Sequence, residues 1–79
     1  MTQEQLENVK RETIKTFINE QWFRGVTVYA QHPETGEATI ELRVNYQPLF
    51  EKKNVIAFAQ RMNMAYRFLI IDKNGNPAS

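Results

Sequence analysis

The sequence predicts a small α+β domain, a two-layer sandwich with two helices on one face of a three-stranded mixed sheet. Three observations point there. The chain has 79 residues, 42% of them hydrophobic, which allows one thin core and no second domain. Two segments repeat apolar residues at three- and four-residue steps, and three alternate apolar with other residues. The order of these segments is α-β-β-α-β, and an antiparallel hairpin followed by a crossover yields a mixed sheet. One domain is expected over residues 1–71, with a flexible tail over 72–79.

Residues 2–23 read as the first helix. Thr2 and Gln5 have capping-box spacing, and Glu4 and Glu7 lie near the positive end of the helix dipole. Leu6, Val9, Thr13 and Phe17 form one apolar row, and Ile14, Ile18 and Trp22 a second beside it. Gly25 is placed to end the helix. Residues 26–31 read as a strand with Val26, Val28 and Ala30 on one face and Tyr29 on the other. His32-Pro33-Glu34-Thr35-Gly36-Glu37 is a turn, with His32 expected in solvent. Residues 38–46 alternate most clearly: Ile40, Leu42, Val44 and Tyr46 face one way, and Thr39, Glu41, Arg43 and Asn45 the other. That polar face implies a sheet open to water on one side.

Pro48 suits the first position of a second helix. Val55, Phe58, Ala59 and Met62 keep helical spacing, Leu49, Phe50 and Ile56 widen the stripe, and Asn63 can take the left-handed conformation that stops it. Residues 64–71 alternate again and are apolar on both faces near their end, the pattern of a well-covered, central strand. Whether this strand lies beside the first or the second is left open by its composition. Asp72 to Ser79 is turn-rich and has nothing after it to pair with.

Composition removes several function classes. There is no cysteine, so no disulfide and no thiolate metal site. The longest apolar run, Phe68-Leu69-Ile70-Ile71, has strand length and cannot span a membrane. The N-terminus is polar and acidic, unlike a secretory signal, so a cytoplasmic location is expected. The single histidine is a poor start for a metal centre. Ser79 is the only serine, and Gly25, Gly36 and Gly75 are isolated, so neither a nucleophile-base pair nor a phosphate-cradling loop is formed. No cofactor and no catalytic activity are expected.

Two binding readings follow. Trp, Tyr and Arg dominate interface hot spots; Trp22, Phe23, Arg24 and Tyr29 cluster in sequence, with Tyr46 and Phe50 expected near them in the fold. They suggest a protein-interaction module: an adaptor, an assembly factor or an inhibitor of a larger complex, as is common among phage and plasmid accessory proteins. An exposed strand edge also permits a homodimer. The alternative partner is nucleic acid. The net charge is only +1, but residues 1–47 hold seven acids and five bases, and residues 48–79 two acids and five bases. Lys52, Lys53, Arg61 and Arg67 lie in the basic half and are the candidate contacts to a phosphate backbone. The element order resembles that of type II KH domains, which would imply RNA binding. The Gly-x-x-Gly loop by which KH domains clamp the backbone does not occur here. The near-neutral charge ranks protein above nucleic acid.

Overall fold

A computed structural model describes residues 1–78; Ser79, at the end of the expected tail, lies outside the described residues. Helix α1 spans Gln3–Phe17. Its start follows the expected capping box: Thr2 Oγ1 accepts from the Gln5 N–H at 3.1 Å, and the Thr2 N–H donates to Gln5 Oε1 at 2.8 Å. Thr13 sits in the apolar stripe, fully buried, because its hydroxyl donates to the Val9 carbonyl at 2.7 Å. The helix ends at Phe17, not at residue 23. The chain turns through Glu20, whose N–H donates to the Phe17 carbonyl, and Phe23 then bonds back to Glu20. Trp22 therefore reaches the core from a turn, its ring centroid 5.4 Å from that of Phe17. The four-residue step from Ile18 to Trp22 mimicked helical spacing, yet Ile18 is exposed.

Strand β1 covers Phe23–Tyr29 and β2 covers Thr39–Val44. They pair antiparallel, with Val26 opposite Leu42 and Val28 opposite Ile40. Gly25 lies inside β1 at a register shift and does not cap a helix. The space its Cβ would fill is taken by the Arg43 guanidinium. Helix α2 spans Lys52–Met62, four residues later than expected, and stops at Asn63 in the left-handed conformation (φ 56°, ψ 45°). Strand β3, Ala65–Ile70, pairs parallel to β2. The sheet order is β1-β2-β3. The central strand is thus β2, and β3 is an edge strand whose residues are mostly half-buried.

Both helices lie on the face carrying Val26, Ile40, Leu42 and Val44. Val9 and Phe17 from α1 and Val55 and Phe58 from α2 complete this core. The Phe17 and Phe58 rings meet edge to face at 5.5 Å and join the two helices. The segment after β3, expected as a flexible tail, is hydrogen-bonded over 72–78. Asp72 Oδ1 accepts from the Asn74 and Asn76 N–H groups, Ile71 bridges Pro77, and the Ala78 N–H donates to the Ile70 carbonyl. An Asx turn followed by a fold-back pairs this segment with the end of β3. Among the described residues no helix is long and apolar enough to cross a membrane.

Candidate functional site

The residues that sequence marks for protein binding separate in space by burial. Trp22 is 1% exposed and packs edge to face on Phe23 and Phe68. Phe23 is half-buried against the same core. Tyr29 lays its ring against His32 at 4.8 Å. Arg24 alone of the four is exposed. Its Nη1 donates to the Gln21 and Phe23 carbonyls, which hold the guanidinium in place.

The four candidate nucleic-acid contacts are likewise not brought together. Lys52 and Lys53 begin α2 and Arg61 ends it, a rise of about 13 Å apart. Arg61 lies over the Phe58 ring, 5.1 Å from its centroid. Arg67 is on the opposite face of the sheet, paired with Glu41 across β2–β3.

Arg67 belongs to a polar cluster that changes the reading of His32. This histidine is 5% exposed, not a solvated turn residue. The 30–37 turn folds over the open face of the sheet and brings it down onto Glu41, itself 9% exposed on the central strand. The Glu34 N–H donates to His32 Nδ1 at 3.1 Å. The other ring nitrogen, Nε2, faces Glu41 Oε2 at 3.5 Å. Arg67 completes the cluster: Nε lies 3.5 Å from Glu41 Oε2, Nη1 lies 3.3 Å from Glu34 Oε2, and Nη1 lies 3.0 Å from His32 Nε2. Both ring nitrogens face protein partners. The cluster works as a latch that fixes the turn and covers a buried carboxylate. Arg67→Met is expected to cost about 1–2 kcal/mol, since Glu41 is left buried with only the His32 ring beside its carboxylate, while the arginine itself is partly exposed. Urea unfolding measures this, and a double change with Glu41→Leu should recover most of the loss.

A second surface holds Tyr46 and Phe50, which sequence offers only as neighbours of the Trp22 cluster, together with Leu49, which it does not offer for binding. Leu49 is 77% exposed and Phe50 87%. Pro48 beside them is fully buried and anchors the loop between β2 and α2, turning the next two side chains outward. They lie before α2 and do not widen its stripe.

The topology gathers the other exposed apolar residues at the same end. Ile18 follows α1 and leads to Phe23, which pairs with Val44 at the end of β2. Tyr46, Leu49 and Phe50 follow Val44. Ile70 pairs with Val44 from the other side. Every large exposed hydrophobic residue among those described, Met1 excepted, is therefore at the end of the sheet where β2 and β3 finish. Arg24 is at this end too. The α2 start that borders it is built without the usual supports. Its N-cap, Glu51, makes no side-chain hydrogen bond, and no acid occupies the first turn, which holds Lys52 and Lys53. Two lysines at the positive end of a helix dipole oppose it. Lys53→Glu is expected to raise stability by about 0.5 kcal/mol, read as a higher urea midpoint. Such a local conflict, next to two solvated apolar side chains, marks a segment shaped by something other than stability.

Comparison with protein-family models, with curated proteins and with solved structures finds no match to this chain.

Proposed function

We propose that this chain is a non-catalytic protein-interaction domain whose contact surface is the end of the sheet formed by Tyr46, Leu49 and Phe50, with Arg24 at its side. One observation supports the reading: strand register and chain order put five of the six large exposed hydrophobic residues toward that end of the sheet, and Leu49 and Phe50 are almost wholly in water. Exposed apolar side chains gathered toward one end of a small domain favour a partner site. An aromatic and an ordered arginine beside it are the residue types that anchor such interfaces. The partner is a protein surface with an apolar pocket for Phe50.

The experiment is affinity capture from extract of the source cells, with protein quantified by mass spectrometry and nucleic acid by absorbance at 260 nm. The wild type is expected to retain a discrete protein. Leu49→Ser with Phe50→Ser is expected to lose it, and Lys52→Ala with Lys53→Ala to keep it. Nucleic acid that elutes steeply with salt, and is lost on the lysine changes instead, would overturn the proposal.

A further inference from the structure

The free edge of β1 carries a second recognition feature, on a different part of the molecule from the apolar end. Strand β1 is outermost in the sheet, so its outward backbone N–H and C=O groups have no strand beside them. A groove of about 320 Å³ runs along this edge, with Val26, Thr27 and Val28 as its floor. Leu6, Glu7 and Lys10 of α1 form one wall, and Arg43 forms the other. A strand edge flanked by a helix is the geometry in which an extended peptide adds as a further strand.

The arginine gives the groove its preference. Arg43 starts on β2, on the face away from the helices, opposite Gly25. Because Gly25 has no Cβ, the guanidinium crosses over it and reaches the rim of the sheet. There Nη1 donates to Thr27 Oγ1 at 2.6 Å. Among the described residues Arg43 has no carboxylate within ion-pair distance, so four of its five N–H donors remain to be matched. A half-buried guanidinium beside a free edge fits a carboxylate in bidentate fashion. The groove continues along α1 past Lys10 to Arg11 and Ile14. Three cations thus face one acid, Glu7, whose carboxylate already accepts from the Gln3 side chain at 3.1 Å.

We propose that the β1 edge takes up an extended acidic segment of a partner protein as a fourth strand, with aliphatic side chains against Leu6 and Val28 and a carboxylate on Arg43. A second copy of the chain is the less favoured occupant. Edge-to-edge pairing of two β1 strands would set Arg43 and Lys10 of one copy near those of the other, and like charges oppose such a contact.

The test uses phage-displayed random dodecapeptides selected on the folded, full-length chain. Selected sequences are expected to alternate β-branched residues and to be enriched in Asp and Glu. The synthetic form of the best one is expected to shift the amide resonances of residues 25–29 and of the first half of α1. Arg43→Gln is expected to weaken it about tenfold, the usual effect of losing one charge-assisted pair. N-methylation of alternate peptide nitrogens is expected to abolish binding, and Leu49→Ser to leave it unchanged. Failure to enrich any peptide would overturn the proposal. So would selection without acidic residues, resonance shifts confined to residues 46–53, or equal affinity for Arg43→Gln. If the β1 amides instead shift with the concentration of the chain alone, the edge belongs to a second copy.

Discussion

Trp22→Ala is expected to destabilise the fold by about 3–5 kcal/mol, the range for truncating a buried aromatic with limited room for collapse. A domain of this size has roughly 4–12 kcal/mol in total, so the variant should be largely unfolded at 37 °C. The reason is its place in the structure. Trp22 is 1% exposed and its ring touches those of Phe17, Phe23 and Phe68, so it joins α1, β1 and β3 at one point. Trp22→Phe should cost much less. It keeps an aromatic ring there and removes an indole N–H that is buried without a hydrogen-bond partner among the described residues. Circular dichroism with thermal and urea unfolding of both variants checks this. A folded Trp22→Ala chain of near-natural stability would show that the residue is not the keystone of the core.

The opposite pattern is expected at the apolar end. Leu49→Ser and Phe50→Ser remove side chains that are mostly in water, so each should change stability by no more than about 0.5 kcal/mol. Their effect on binding should be large. If Phe50 is a hot spot worth at least about 2 kcal/mol, its loss weakens the partner complex about thirtyfold or more, and the double variant further. Trp22 and Phe50 thus separate two roles that sequence alone assigns to aromatics without distinction. One truncation destroys the fold and the other only the contact. Isothermal titration with the captured partner measures the second effect.

Much of the architecture was legible because local and tertiary signals agree. Thr2 and Gln5 cap α1 as their spacing requires. Ile40, Leu42 and Val44 alternate toward the core, and Asn63 ends α2 in the conformation it favours. The misreadings occur where tertiary packing overrode a local pattern. Ile18 and Trp22 are spaced as on a helix, but burial of Trp22 beside Phe17 rewarded a turn instead. Gly25 resembles a helix stop, yet its missing Cβ serves the approach of Arg43 from the neighbouring strand. Strand β3 looked central because both its faces are apolar near the end, whereas the fold-back of residues 72–78 and the end of the sheet account for that character.

The candidate site was less legible, for a related reason. His32 gives no sign in sequence that Glu41 and Arg67 wait beneath it, since those partners lie nine and thirty-five residues away. Tyr46 and Phe50 were in view as aromatics, but their exposure was not, since it depends on Pro48 being buried in a loop and not starting α2. Arg24 is exposed, whereas its sequence neighbours Trp22 and Phe23 pack in and against the core.

Site-specific photocrosslinking from the apolar end decides whether it is the contact surface. The chain is made in its source cells with p-benzoylphenylalanine in place of Phe50, and in parallel in place of Lys53 or Gln60. A discrete protein adduct is expected from position 50, weaker from 53 and absent from 60, and it should disappear when Leu49→Ser is added. Equal adducts from all three positions, or none from position 50 while position 53 crosslinks nucleic acid, would contradict the account.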